Sequence, residues 1–233
     1  MAQTVLVTGG AGYIGSHACV VLIEAGYRVV VLDNLQVGNA EALARVEQIT
    51  GQAPDFIRGD IRDRQCLDDL FGEYTINAVM HFAGLKAVGE SVNMPLDYYD
   101  NNVTGTLNLL RAMEDNWVRC LVFSSSATVY GDPASVPIGE DFPTSATNPY
   151  GRSKLMVEEI LADWMIANPD WSVCRLRYFK PVGAHPRVLI GEDPQGTPNN
   201  LLPYVAQVAV GRQYKLYVFG DDYPTPDGTG VRD

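Results

Sequence analysis

Gly9-Gly10-Ala11-Gly12-Tyr13-Ile14-Gly15 lies between an apolar run, Val5-Leu6-Val7, and a helical pattern. No other segment constrains the fold as much. A buried strand delivers the backbone to a tight turn, and glycines let that turn pass close to a ligand without a Cβ in the way. The following helix opens with free backbone N–H groups and a positive dipole end, which suit a pyrophosphate. A second apolar run, Val29-Val30-Val31-Leu32, ends in Asp33, eighteen residues after Gly15. A carboxylate there accepts hydrogen bonds from an adenosine ribose and repels a 2′-phosphate. The pattern predicts a dinucleotide-binding βαβ unit that prefers NAD to NADP.

Strand-like runs recur at Thr4–Val7, Val29–Leu32, Asp55–Ile57, Ala78–Phe82, Cys120–Ser124 and Val173–Tyr178, with helical patterns between most of them. Ile14, Ala18, Val21, Leu22 and Ala25 mark an apolar helix face that Gly26 is placed to stop, and Val103, Leu107, Leu110 and Met113 mark another. Alternating strands and helices predict an α/β fold, a Rossmann-type doubly wound parallel sheet with ligands at the carboxyl ends of the strands. After Pro181 the chain turns rich in Pro, Gly and Asn. A short helix near Leu202–Val210, a strand near Lys215–Phe219 and a turn-rich tail are expected there. The division is therefore 1–180 for the nucleotide-binding domain with the catalytic groups, and 181–233 for a smaller, incomplete substrate domain. The chain stops without a closing element, which suggests that further sequence belongs to it.

A net charge of −11 over 233 residues argues against nucleic acid or an anionic membrane surface as partner. No run is long and apolar enough to span a bilayer, and no signal-type segment opens the chain, so the cytoplasm is expected. Cys19, Cys66, Cys120 and Cys174 are dispersed, which predicts reduced, buried side chains rather than a metal site or disulfides. The histidines show no ligand spacing, and His81, after an apolar run, reads as a satisfied core or cofactor-side residue. Trp117, Trp164 and Trp171 read as core.

Tyr150-Gly151-Arg152-Ser153-Lys154 opens a helix whose apolar face is Val157, Ile160, Leu161 and Trp164. Tyr150 and Lys154 share a face, and a nearby ammonium lowers a phenol's pKa, which makes the pair a base near neutral pH. Ser124-Ser125-Ser126 ends an apolar run, where a parallel sheet places its working groups. One hydroxyl there can hold a substrate oxygen beside the tyrosine, and others can cap the turn.

These motifs resemble the extended short-chain dehydrogenase/reductase family. Further matches are His81-Phe82-Ala83-Gly84-Leu85-Lys86, Tyr98-Tyr99-Asp100-Asn101-Asn102, Ala127-Thr128-Val129-Tyr130-Gly131 and Gly191-Glu192-Asp193-Pro194-Gln195-Gly196. Within the family the chain is similar to the branch that inverts C4 of UDP-sugars. The resemblance implies tightly held NAD, regenerated each cycle, and interconversion of UDP-glucose and UDP-galactose through a 4-keto sugar. It implies that Ser126, Tyr150 and Lys154 are catalytic. Gly9, Gly12, Tyr13, Ile14, Gly15, Asp33, Asn34, Asp60 and Ile61 would hold the cofactor's adenosine and pyrophosphate side. Phe82, Ala83, Gly84, Lys86, Asn101, Ser124, Tyr150, Lys154 and Phe179 would line the rest of it. Lys86, Ser126, Tyr150, Asn200, Leu201, Phe219 and Arg232 would face the substrate, and a homodimer is implied.

Two rival readings remain. A sugar-nucleotide 4,6-dehydratase needs an acid and a base just after the active-site hydroxyl, and Ala127 and Thr128 supply neither. A non-catalytic NAD-binding sensor has no use for an intact Ser126, Tyr150 and Lys154. The chain departs from the family at Lys180, where Asn is usual, and at Arg187-Val188-Leu189, where small or polar residues are usual. Weak or absent turnover of the chain alone is the expectation, because closure over the substrate needs more of the substrate domain.

Overall fold

The computed structural model describes residues 2–194, 196–218 and 220–230. Six strands follow the apolar runs: β1 Thr4–Thr8, β2 Arg28–Asp33, β3 Asp55–Arg58, β4 Ala78–His81, β5 Cys120–Ser126 and β6 Ser172–Tyr178. They form one parallel sheet in the order β3-β2-β1-β4-β5-β6. The order reverses at β1, so the connections that leave the carboxyl ends of β1 and β4 run in opposite directions and open a crevice for ligands there.

The helices are α1 Tyr13–Glu24, α2 Ala40–Thr50, α3 Arg64–Glu73, α4 Val88–Asn93, α5 Pro95–Tyr99, α6 Gly105–Asp115, α7 Pro149–Ala167 and α8 Leu201–Ala209. A π-helical turn, Asp100–Thr104, joins α5 to α6, and a 3-10 turn, Ala127–Tyr130, follows β5. Alternation along each strand feeds two cores. Leu6, Val30, Leu32, Val79, Leu121 and Phe123 pack with Leu67, Leu109, Met113, Val157 and Leu161 on one face. Val5, Val7, Val29 and Val31 pack with Cys19, Val20, Leu43 and Val46 on the other. Helices therefore cover one face along the sheet and the other over β1 and β2, where the strands are apolar on both sides.

Several details differ from the sequence expectation. The buried face of α1 is Ser16, Cys19, Val20 and Ile23, whereas Val21 is 65% exposed. The helix is apolar on nearly every side, so periodicity alone does not select its face. Gly15 does, because it packs on the Gly9 carbonyl with no room for a Cβ. Gly26 ends the helix at φ +86°, as expected. Of the four free cysteines only Cys19 is buried; Cys120 and Cys174 lie exposed at the open side of β5 and β6. Trp164 and Trp171 stack on each other, but Trp117 is 76% exposed in a left-handed turn at φ 57°. Residues 215–218 form no strand, and α8 ends in a turn that leaves them exposed. No helix among the described residues is long and apolar enough to cross a membrane.

Candidate active site

The turn after β1 is held by backbone bonds. Gly9 N–H donates to the Leu32 carbonyl (2.8 Å), and Gly12 N–H donates to the Gly9 carbonyl (3.1 Å). A Cβ on Gly9 would lie 2.6 Å from the Ala83 nitrogen, and one on Gly15 would lie 2.2 Å from the Gly9 oxygen. A Cβ on Gly12 would meet only that oxygen, at 3.2 Å, and otherwise open space. Gly12 is also the N-cap of α1, with no capping side chain and no acid in the first turn. The helix start, with Tyr13 and Ile14, is therefore an open anion cradle. A depression of about 340 Å³ lies beside it, lined by Tyr13, Ile14, His17 and residues 181–184. The Tyr13 hydroxyl donates to the Gly183 carbonyl (2.7 Å) across its edge.

Asp33 is buried at the end of β2. One carboxylate oxygen accepts from Ala11 N–H (3.0 Å) and the other from Leu35 N–H (2.8 Å). Burial raises its pKa, and the two N–H bonds oppose that rise. Each oxygen keeps a lone pair for a ribose hydroxyl. Asn34 donates to Asp60 (2.9 Å), and Arg62 beside Asp60 holds its carboxyl well below the usual range. Ile61 goes elsewhere: it is 4% exposed and packs against Gly105 in the core, leaving the polar atoms of Asp60 at the groove. His81 is likewise core, with Nδ1 on Thr8 (2.6 Å) and Nε2 on Thr106 (2.9 Å). A dinucleotide fits this set, since an anion cradle, a ribose acceptor and a polar adenine-side edge follow one another along the strand ends.

Helix α7 starts where Asn148 accepts from Gly151 N–H (2.8 Å) and Pro149 occupies the first turn. That start places Tyr150 and Lys154 one turn apart against the end of β5. Lys154 is 5% exposed; its Nζ donates to the Ser124 carbonyl (2.8 Å) and sits 4.9 Å from the centre of the Phe123 ring. Neither neighbour carries charge, so burial lowers the ammonium pKa to about 8. The Tyr150 phenol differs from the sequence expectation. Burial raises its pKa, and the hydrogen bond with Ser126, not the Lys154 ammonium, opposes the rise. The reason is local: Lys154 turns to the strand carbonyl. Ser126 also caps the 3-10 turn, accepting from Thr128 N–H (3.3 Å) and the Thr128 hydroxyl (2.9 Å). The hydroxyl that caps the turn is thus the one beside Tyr150.

The loop after β4 meets this group. A Cβ on Gly84 would lie 3.4 Å from Lys154 Nζ and 3.3 Å from Asn102 Oδ1. Asn101 is buried and donates to Asn102 Oδ1 (2.9 Å). Asn102, which sequence reasoning passed over, ties three elements together. It accepts from Leu85 N–H (2.8 Å) and donates to the Leu85 carbonyl and to Ser153 of α7 (3.0 Å each). The signal for it was the paired amide in a segment whose helix widens to a π turn, a frequent feature of functional sites.

On the opposite wall Phe82 packs under the sheet edge, and Phe179, 40% exposed, faces Tyr130 at 6.4 Å between ring centres. Lys86 pairs with Glu192 (3.2 Å), Asn200 also donates to Glu192, and Lys180 donates to Asn200 (3.0 Å). Lys86 and Asn200 are therefore brought together, with Lys180 added to the same network. Leu201 follows at the start of α8, 65% exposed. The unusual Arg187-Val188-Leu189 segment is a surface loop whose Arg187 donates to the Ile49 carbonyl of α2 (2.9 Å). Phe219 and Arg232 lie outside the described residues.

The chain spans 68% of the length of two curated relatives, both named UDP-glucose 4-epimerase. One, from Yersinia pestis, is 64% identical over 98% of this chain; the other, from Bacillus subtilis, is 63% identical over 99%. A crystal structure of UDP-glucose 4-epimerase from Bifidobacterium longum in complex with NAD+ and UDP superposes with a TM-score of 0.96. It shares 55% identity and covers 99% of this chain, which corresponds to 69% of that one. The family model described as the NAD dependent epimerase/dehydratase family matches residues 5–233. A strand-end cradle for an anion, a buried ribose acceptor and a tyrosine–lysine helix are what such a family needs in one crevice, and the chain belongs to the NAD dependent epimerase/dehydratase family.

Proposed function

We propose that the chain interconverts UDP-glucose and UDP-galactose at C4 through a transient 4-keto sugar, with NAD as cofactor. The observation that carries this reading is the convergence of Ser126, Tyr150 and Lys154 at the end of β5, beside Gly84 of the loop after β4. Relatives named for that activity, at 63–64% identity, support it. A dehydratase would need an acid–base pair after Ser126, where Ala127 and Thr128 stand.

NAD, when bound, supplies the hydride acceptor and donor for C4 and a cationic nicotinamide ring. Tyr13 and Ile14 N–H groups would hold its pyrophosphate, Asp33 a ribose, and Asn34 with Asp60 the adenine side. Phe82, Ala83, Lys86, Asn101, Ser124 and Phe179 would line the remaining length. Tyr150, as phenolate, takes the proton from the sugar 4-hydroxyl, while Ser126 holds the same oxygen. The phenol sits in a poorly hydrated site, so positive charge brought near it acts strongly on its pKa. Lys154 turns its ammonium to the Ser124 carbonyl, so the cationic nicotinamide ring would be the charge brought near the phenol. The 4-keto sugar turns about its link to the diphosphate before Tyr150 returns the proton. Lys86, Asn200 and Leu201 would face the nucleotide, placing the cofactor and catalytic groups in residues 1–180 and substrate contacts in 181–233.

The same reading includes a cytoplasmic homodimer. Free cysteines suit a reducing compartment, and Val92, Leu96 and Ile166 leave exposed apolar side chains on α4, α5 and α7. Sedimentation equilibrium tests the dimer.

The test of activity is conversion of UDP-galactose to UDP-glucose by the NAD-loaded chain, with products separated by chromatography. Turnover that falls about 1000-fold or more in Tyr150→Phe supports the reading. Product untouched by Tyr150→Phe would refute it, whereas NAD binding with no product is the outcome expected where closure over the substrate needs more of the substrate domain.

A further inference from the structure

Tyr150, Lys154 and Glu158 stand at four-residue intervals on α7, and each meets a different one of three successive serines in β5. Tyr150 faces the Ser126 hydroxyl, Lys154 bonds the Ser124 carbonyl, and Glu158 accepts from the Ser125 hydroxyl. The first two contacts belong to the chemistry proposed above. The third has no part in it, yet it is the most elaborately held.

Glu158 is 2% exposed. Arg177 of β6 forks onto it, Nη2 to Oε2 at 2.6 Å and Nε to Oε1 at 3.0 Å. The same guanidinium donates to the Tyr130 hydroxyl (2.7 Å) and the Glu140 carbonyl (3.3 Å) and lies 4.7 Å from the Tyr130 ring centre. Burial alone would raise the Glu158 pKa; the Arg177 and Ser125 bonds outweigh it and hold the carboxyl below its usual value, so it is ionised at neutral pH. Well-packed apolar side chains would hold two elements together at least as firmly as a buried ion pair. What the pair adds is direction. Val157 and Leu161 pack on the core in the same stretch of α7, and apolar contacts tolerate a small slide along the helix axis. A forked carboxylate–guanidinium bond and a hydroxyl bond do not.

We propose that Glu158 is a positioning residue: clamped between Arg177 and Ser125, it sets where α7 lies along β5, and so where Tyr150 and Lys154 meet their serines. The inference rests on the epimerase reading of that site. Through Tyr130 and Glu140 the clamp also reaches the loop that follows the 3-10 turn, so helix, strand ends and loop share one reference point.

The test uses the full chain loaded with NAD and the variants Glu158→Gln and Ser125→Ala. Glu158→Gln keeps the size of the side chain and loses the charge that Arg177 requires. Expected is a fall in kcat of about tenfold or more with KM for UDP-galactose and NAD content little changed, since small misplacements of reacting groups are costly. Ser125→Ala shifts kcat the same way by less. A second readout needs no turnover: the titration midpoint of Tyr150, followed by NMR of 13C-labelled tyrosine and assigned with Tyr150→Phe. Loosening α7 admits water, and because burial is the larger cause of the raised phenol, the midpoint moves down in Glu158→Gln. Both variants keeping kcat within about twofold, with an unmoved midpoint, would overturn the proposal. Should Glu158→Gln not fold, Ser125→Ala, which deletes one hydroxyl, decides it by the same two readouts. In an unsubstituted chain without turnover the midpoint alone decides the clamp, and product untouched by Tyr150→Phe is what sinks the epimerase reading.

Discussion

Strand β2 runs Val29-Val30-Val31-Leu32-Asp33 and is buried along all five residues, whereas β5 ends in three serines and its neighbour β6 carries Arg175 and Arg177. The β1–β2 side meets its ligand through backbone: a glycine turn, a helix start, and a carboxylate already bonded to two N–H groups. The β5–β6 side instead buries side chains that can gain or lose protons, Lys154 and Glu158. Backbone recognition rests on an apolar support, since Val5–Val7 and Val29–Leu32 are all buried. Side-chain chemistry needs Lys154 and Glu158 in places where apolar residues would be more stable.

The contrast breaks first at Gly15. A Cβ there would lie 2.2 Å from the Gly9 oxygen and 2.8 Å from the Gly10 Cα, all of it backbone. Gly15→Ala is expected to cost about 3 kcal/mol or more and to abolish NAD binding, read by urea unfolding and by NAD titration. A stable variant that still binds NAD would remove the claim that the turn works through backbone.

Lys154→Met should do the opposite. At pH 7 it is expected to gain about 1–3 kcal/mol of stability while turnover vanishes, because the folded state no longer buries an ammonium. The folded lysine gives up its proton near pH 8 and the unfolded one near the ordinary 10.5. Between those values the unfolded chain binds more protons, so the stability of the unsubstituted chain rises with pH there. The advantage of the variant should shrink across that window, measured by denaturant unfolding at stepped pH. A constant advantage would mean that Lys154 is not strained by burial.

The smallest effect concerns His81, an ionisable group on the stable side. Burial pushes its pKa down to about 3 from 6.5. The unfolded chain protonates it first, so stability should fall as pH drops below about 6.5 and stop falling near 3. His81→Gln should flatten that slope by up to about 1.4 kcal/mol per pH unit, whatever it costs at neutral pH. An unchanged slope would place the acid sensitivity elsewhere.

The same division decides what was legible in the sequence. Strand centres, the glycine turn, Asp33 and the Tyr150–Lys154 helix come from local patterns; five observed strands extend the expected ones by a residue or two, and β4 stops one residue short, at His81. The face of α1 was not legible, because Val20, Val21, Leu22 and Ile23 offer apolar residues in every direction and only the contact of Gly15 with Gly9 selects among them. Trp117 was misread because size argues for burial, while its left-handed turn leaves it outside. Asn102 and the Glu158–Arg177 clamp were missed because their partners are distant in sequence and their residue types usually mark surface. The raised phenol of Tyr150 escaped for a related reason: spacing shows that Lys154 is near, not which way its ammonium turns.

The strand order has a consequence for how the chain assembles. β2 adds to β1, β3 to β2, β4 to the other side of β1, β5 to β4 and β6 to β5. Each strand, as it is synthesised, docks on an edge that already exists, and none is inserted between two that are already paired. The sheet can therefore grow outward from its first strand during translation. Until β6 docks, one of the sheet's two unpaired edges is always the one awaiting the next strand, and the other, once β3 is in place, is the outer edge of β3. The catalytic side of the crevice is the last to close, since β6 and Arg177 dock on a β5–α7 unit that is already made.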